Sequence, residues 1–465
     1  MLKKNIFYNF SYQFLIMFLP FVTAPYLSRV IGAEGIGTYS YSFSIASYFI
    51  YFSILGLNNY GNRTIATVKQ NKYLLSKNFC EIYFMQIVTS SLCTILYIIY
   101  IIFLAENKLV ALCQLVLVCS SLFDINWFFF GLEKFKLTVI RNTVIKLLTV
   151  LFVFLFVKTE SDVSIYIFIM ASGTLISQVV LWPFVRKEIT FILPKPKNVI
   201  QHLKPNFMLF IPVISVSIYK IMDKIMLGQM SGMASVGFFE NAEKIINVPV
   251  ALIMAVGVVM LPKISSFVAS GKQEDARKYF NLSMLLVLAF SNAAVFGILL
   301  IAEEFVYVFY GANFAPTSVI MKLLVVTIIF LAAGNVLRTQ LLIPEKRDSV
   351  YIISALLGAV INFSINLFLI PIWNVIGAAI GTIIAELVVC CYQFLAVKRK
   401  INLSMYIKWQ TLFLLIGLIM YMTISFIPNV TNVYVSLFMK IFLGAIIYSL
   451  LAYSLIIKKN LKGIL

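Results

Sequence analysis

Apolar runs of about 20 residues recur almost from one end of the chain to the other, and a run of that length crosses a bilayer as a helix. Candidate spans cover approximately residues 10–31, 36–57, 79–103, 109–131, 142–158, 163–185, 206–227, 238–262, 280–301, 315–337, 349–370, 376–397, 409–427 and 433–457. The expected fold is an all-α integral membrane protein with about fourteen transmembrane helices. Composition agrees: 62% of the 465 residues are hydrophobic and 12% charged, whereas a soluble domain is roughly half apolar and a quarter charged. No soluble domain of useful size is left over. Met1-Leu2-Lys3-Lys4 and the stretch after it read as the first span, because that stretch is too long for a signal peptide and lacks a small-residue cleavage site.

A net charge of +19 would point to nucleic acid in a soluble protein, but here the charges fall between spans. With both ends in the cytoplasm, the tails and the loops 58–78, 132–141, 186–205, 263–279, 338–348 and 398–408 hold 28 Lys and Arg, and the outer loops hold three, Arg29, Lys108 and Lys158. By the positive-inside rule this is a multi-pass protein of the inner (cytoplasmic) membrane with both termini cytoplasmic. The basic loops are topology signals first and contacts for anionic headgroups of membrane lipids second; nucleic acid is excluded as a partner. All six cysteines lie in apolar runs, where a thiol acts as a small hydrophobe, so neither a disulfide nor a metal site is expected. His202, the only histidine, falls in a polar stretch with no evident partner and reads as solvated linker.

The stretch 186–205, with Pro194-Lys195-Pro196-Lys197, reads as the boundary between an N-terminal six-helix lobe (1–195) and a C-terminal one (196–400), followed by two further helices (401–465). The halves echo each other: Pro20 and Pro212 interrupt spans one and seven, Gly37 and Gly237 open spans two and eight, and Glu133-Lys134 and Glu345-Lys346 close spans four and ten. Six spans per half make this a parallel repeat about an axis along the membrane normal.

Charges inside spans cost about 2.5 to 3.5 kcal/mol on insertion scales and so face a cavity or a partner. Lys220, Asp223 and Lys224 lie at i, i+3 and i+4 of span seven, on one helical face. Glu240, Glu243, Lys244 and Asn247 repeat that spacing on span eight. Two readings stand: a neutralised network gluing two helices across the hairpin, or a wet cavity where an anionic headgroup or a coupling ion exchanges partners. Further candidates are Arg29, Asp124, Trp127, Lys146, Lys322, Arg338 and Glu386. Lys146 and Arg338, near helix ends, can snorkel. Asp124 and Glu386 lie deeper and suit a proton or sodium ion. Trp127 suits a sugar ring or, alternatively, a packed aromatic contact.

The segments Pro25-Tyr26-Leu27-Ser28-Arg29-Val30-Ile31-Gly32-Ala33-Glu34-Gly35-Ile36-Gly37-Thr38-Tyr39, Gly56-Leu57-Asn58-Asn59-Tyr60-Gly61-Asn62-Arg63 and Asp124-Ile125-Asn126-Trp127-Phe128-Phe129-Phe130-Gly131-Leu132-Glu133-Lys134, with Arg141-Asn142 after the last, carry a resemblance. So do Asp223-Lys224, Val236-Gly237-Phe238 and Pro262-Lys263-Ile264-Ser265. The chain resembles the bacterial polysaccharide repeat-unit flippases, the Wzx type of the multidrug/oligosaccharidyl-lipid/polysaccharide exporter superfamily. That resemblance implies a MATE-like architecture and translocation of an undecaprenyl-diphosphate-linked oligosaccharide by alternating access, for capsule, exopolysaccharide or O-antigen assembly. It implies no enzyme chemistry and no cofactor, only an H+ or Na+ gradient, and a glycan polymerase and other assembly proteins as partners. On it, Arg29, Arg63, Lys220, Lys224 and Arg338 attract diphosphate or acidic sugars, with Trp127, Lys244 and Lys322 as further substrate contacts. Asp124, Asp223, Glu240, Glu243 and Glu386 serve as ion-coupling candidates. The alternatives are a multidrug antiporter of the same superfamily and a membrane glycan polymerase; the second lacks the large outer loop it would need, and no nucleotide-binding glycine loop is present.

Overall fold

The computed structural model describes residues 18–427 and 431–458. Among these residues the regular structure is entirely helical, as expected. Two compact units divide the chain after Gly228.

In the first unit, residues 18–30 form α1, followed by α2 (Gly32–Ile54), α3 (Leu57–Val68), α4 (Lys72–Phe103), α5 (Lys108–Ser120), α6 (Asn126–Gly131), α7 (Phe135–Phe156), α8 (Val163–Val179), α9 (Trp182–Val185) and α10 (Pro196–Met230). The α10 helix ends just past the unit's limit. In the second unit come α11 (Met233–Ala269), α12 (Gln273–Phe309), α13 (Ala315–Leu324), α14 (Thr327–Leu337), α15 (Asp348–Val397), α16 (Leu403–Ser425) and α17 (Val433–Lys458).

Eleven of these helical segments are long and apolar enough to span a bilayer, or twelve if α13 and α14, bent by 45°, form one span. Two features separate this count from the expected fourteen. The 50-residue α15 is two helical arms joined at Asn374 (φ 50°, ψ −128°), soon after Pro371, so segments 349–370 and 376–397 are its arms. Segment 10–31 begins outside the described residues, which take it up as α1.

Small residues let the helices of the first unit approach closely. The buried face of α2 carries Ser40, Ser42, Ser44, Ser47 and Ser53. Hydroxyls on this face donate back to their own helix, Ser44 to Ser40 O at 2.7 Å and Ser53 to Phe49 O at 2.8 Å, so they reach hydrocarbon already satisfied. Gln114 of α5 donates to Ser42 Oγ at 3.1 Å, and Phe49 meets Tyr97 of α4 edge-on with centroids 4.9 Å apart. Where α3 crosses α6, a Cβ on Gly61 would stand 2.5 Å from the Trp127 indole, and one on Gly131 2.6 Å from Ile65.

In the second unit α16 and α17 are sewn to α12 by polar contacts. Asn292 and Gln410 exchange hydrogen bonds at 3.0 and 3.2 Å. The Tyr406 hydroxyl donates to Asn281 Oδ1 at 2.5 Å and that of Tyr448 to Ala289 O at 2.7 Å, while Lys440 pairs with Glu304.

The crossing of α3 and α6 generates a test. Gly61→Ala pushes a methyl into Trp127, and overpacking of this kind costs about 1 to 3 kcal/mol; a lowered Tm of the purified protein is expected. Gly297→Ala, with nothing within 4 Å of the new methyl, should leave Tm unchanged or raise it, since Ala favours helix by about 1 kcal/mol over Gly.

Candidate functional site

Between α5 and α6 the fourth expected span breaks. After Ser120 the chain makes one 3₁₀ turn, Ser121–Phe123, and Asp124 is extended (φ −73°, ψ 106°). A break inside a membrane bundle frees carbonyls that hydrocarbon cannot satisfy, and here four consecutive carbonyls each meet a side-chain donor. The Gln86 carboxamide donates to Ser121 O at 2.7 Å and Asp124 O at 2.8 Å. The Tyr83 hydroxyl donates to Leu122 O at 3.2 Å and Trp182 Nε1 to Phe123 O at 3.1 Å.

The acid at the break is held from the other side. Asp124 Oδ1 accepts the backbone N–H of Asn126 at 3.0 Å and its amide at 2.7 Å. That amide also donates to Gln178 of α8 at 2.9 Å. Asn126 Oδ1 in turn accepts from Arg141 of α7 at 2.8 Å, and the same guanidinium reaches Ser177 O at 2.8 Å and Asn142 Oδ1 at 2.6 Å. Asp124 and Arg141 are thus electrostatic partners bridged by Asn126. The expectation that Arg141 belongs to a basic loop is corrected: α7 begins at Phe135, and the arginine is a buried member of that helix.

Of the two readings of Trp127, the structure shows the packed aromatic contact. Its side chain is 0% exposed, its Nε1–H donates to Gln86 Oε1 at 3.0 Å, and its ring stacks on Phe79 at 5.6 Å. An indole enclosed in this way offers no face to a sugar.

The remaining candidates are spread over several helices of the two units. Arg29 ends α1, exposed, and donates to Pro25 O at 2.8 Å; Arg63 is exposed on α3. On α10, Lys220 is exposed and Lys224 half-buried, while Asp223 is 2% exposed and close enough to Tyr48 to act on it electrostatically. On α11, Lys244 pairs with Glu240 one turn away at 3.4 Å, and Glu243 lies beside them, half-buried. Lys322 of α13 pairs with Glu303 at 2.5 Å. Arg338 opens a π-turn, Arg338–Leu342, and is fixed by the Tyr351 hydroxyl at 3.0 Å, by Asn335 Oδ1 at 3.2 Å and by the Tyr351 ring 5.0 Å below it. Glu386 is buried on the second arm of α15.

A second buried cluster lies where a solvated linker was expected. His202 is 5% exposed, and Nε2 lies 3.2 Å from Glu81 Oε2 while Nδ1 lies 2.5 Å from the Tyr60 hydroxyl. Segment 186–205 is held on α4: Thr190 N donates to Ser76 Oγ at 3.1 Å, Ile192 N to Cys80 Sγ at 3.4 Å and Asn198 Nδ2 to Glu81 Oε1 at 2.7 Å. Leu181, Val185, Ile189 and Val199 join the same core as Phe79 and Ile82. The sequence signal was an alternation of apolar residues among the polar ones, too sparse to stand out beside spans. Among the described residues no cluster suits a metal ion.

The architecture is that of a multi-span membrane transporter. With a solved structure of the lipid II flippase MurJ in an inward closed conformation the chain shares a TM-score of 0.67 at 18% identity, over 93% of this chain and 98% of that one. An inward-facing MATE multidrug transporter of the MOP superfamily gives 0.59 at 13% identity, over 84% and 99%. The sequence pattern of a family described as polysaccharide biosynthesis protein matches residues 2–268, more than half of the chain, and the protein belongs to that family. A putative O-antigen transporter of Shigella dysenteriae is 23% identical over 406 residues, 85% of this chain and 100% of that protein. Another, of Escherichia coli strain K12, is 30% identical over 259 residues, 53% of this chain and 60% of its own length.

The polar network at the break predicts a sharp sensitivity. Gln86→Leu strips the partners of Ser121 O, Asp124 O and the Trp127 N–H, and each buried orphan costs about 1 to 3 kcal/mol. The variant should lose several degrees of Tm in thermal unfolding, where Val88→Ala on the exposed side of the same helix turn should lose little.

Proposed function

We propose that the protein flips an undecaprenyl-diphosphate-linked oligosaccharide from the cytoplasmic to the outer leaflet of the inner membrane. The observation that carries the reading is the match to a putative O-antigen transporter over that relative's full length, on a fold shared with a lipid II flippase. Both termini are cytoplasmic in this reading, and the basic inner loops meet anionic lipid.

The physics of the cargo supports it. A diphosphate headgroup with attached sugars needs a polar path, while its prenyl tail remains in hydrocarbon. Lys220 and Lys224 supply positive charge on a helix otherwise suited to lipid, and Asp223 between them supplies the acid that holds this charge when no phosphate is bound. Arg29, Arg63, Lys244, Lys322 and Arg338 are further contacts for phosphate or acidic sugars. Lys322 and Lys244 already hold carboxylate partners, so cargo phosphate competes with Glu303 and Glu240 for them. The cycle binds, reorients and releases without making or breaking a covalent bond. An ion gradient supplies the work, with Asp124, Asp223, Glu240, Glu243 and Glu386 as acids able to exchange an ion for a lysine or arginine. The capsule, exopolysaccharide or O-antigen polymerase downstream receives the flipped unit.

The test is the leaflet distribution of lipid-linked oligosaccharide in a strain lacking the protein. Accumulation on the cytoplasmic side with unchanged resistance to cationic dyes is expected; normal glycan export with increased dye sensitivity would instead make the protein a drug exporter, like a multidrug transporter of similar fold. Lys224→Ala and Asp223→Ala should each slow flipping about tenfold, the effect of losing one contact worth about 1.4 kcal/mol, at undiminished protein level. Full activity in both would remove the α10 charges from the cargo path.

A further inference from the structure

The buried Glu81, His202 and Tyr60 form a group whose geometry accepts two protonation states on one set of heavy atoms. With one proton on the ring, Nε2–H donates to Glu81 Oε2 across 3.2 Å and Nδ1 accepts the Tyr60 O–H across 2.5 Å. With two, Nδ1–H donates to the Tyr60 oxygen, whose own hydrogen turns away; a phenolic hydroxyl serves as donor or acceptor. The second carboxylate oxygen keeps the Asn198 amide at 2.7 Å in either state. Proton uptake therefore breaks no bond between the ring and its two neighbours.

What changes is charge. Glu81 is 3% exposed, and a carboxylate beside a neutral imidazole leaves one uncompensated negative charge in a largely buried site. An imidazolium brings the pair to zero, and buried ions are tolerated when paired and hydrogen-bonded. The surrounding groups leave this balance to the histidine. Cys80, next to Glu81, accepts the Ile192 N–H. Lys77 on α4 is half-buried, and Arg63 on α3 and Lys197 and Lys204 on α10 are exposed; the ion pair that Glu81 makes is with His202. A sodium ion needs several free oxygens, whereas both oxygens of Glu81 are engaged.

The group also ties together three helices, with Tyr60 from α3, Glu81 from α4 and His202 from α10. The last is the 35-residue helix that carries Lys220, Asp223 and Lys224 about 30 Å further on at 1.5 Å per residue.

We propose that Glu81, His202 and Tyr60 form a proton-binding site, in which one proton from bulk solvent adds to Nδ1 of His202 and is later returned, so that a pH gradient acts on the charge held where α3, α4 and α10 meet. The proton site stands on the geometry alone; its role in driving transport rests on the flippase reading above.

Because the chain has one histidine, ring-¹⁵N-labelled full-length protein in lipid nanodiscs reports on this site without interference. Two protonated ring nitrogens at low pH and one at high pH are expected; a ring that stays in one form throughout overturns the proposal. In proteoliposomes carrying a lipid-linked oligosaccharide, the ratio of flipping rates with and without an imposed pH gradient should be at least tenfold for the wild type. It should fall to about one for His202→Gln and for the nearly isosteric Glu81→Gln, and the ratio is insensitive to partial loss of folded protein. An undiminished ratio in both variants overturns the proposal. A titrating ring in a protein that flips nothing supports the proton site and removes the flippase reading.

Discussion

A polar group inside a membrane bundle finds no water, so its partner has to come from the chain itself. The broken fourth span shows how far this requirement reaches. Four carbonyls freed between Ser121 and Asp124 are met by Gln86, Tyr83 and Trp182, residues of α4 and α9. Those donors fix where α4 and α9 lie relative to the break. Gln86 Oε1 then needs a donor of its own and takes the Trp127 N–H, which buries the indole beneath Gly61. One interruption of a helix thus determines the packing of three others, and Asn126 extends the network to Arg141, Ser177 and Gln178.

Charges obey the same rule with a larger penalty. Lys440 with Glu304 and Lys322 with Glu303 neutralise an otherwise costly end of α12, and the first pair, with Asn292–Gln410, holds the last two helices on the unit. Such pairs stabilise only modestly where water screens them. Their value to a transporter is different: a cation held by a carboxylate can be passed to a phosphate at little net cost, because one partner replaces another. In the proposed flipping cycle, the cargo headgroup takes positions where this exchange is available.

The spans were legible in the sequence because a lipid-facing helix has to be apolar over its whole length, and the residues that meet hydrocarbon leave a dense local signal. The charged stripe on α10 was legible for the converse reason, since lysine and aspartate inside such a run stand out. Arg141 was read as part of a basic loop because it follows Lys134 and Lys136 with only four residues between; its burial follows from the early start of α7. The kink at Asn374 left a turn-forming residue between two runs, visible only as a gap. Trp127 carried no mark that separates a sugar platform from a packed ring, because an indole serves both roles and its neighbours come from α3 and α4.

Hydropathy and the spacing of charges, both properties of neighbouring residues, determined by themselves that this chain is a helical membrane protein with acids and bases on particular helix faces. Only the tertiary structure decided which polar atoms meet: Gln86 with the break, Asn126 with Arg141, Glu81 with His202 and Tyr60. The last pairing joins residues 121 and 142 positions apart. Contacts at that separation depend on how helices pack, and side-chain periodicity along one helix says which face a residue occupies but not which helix will lie against it.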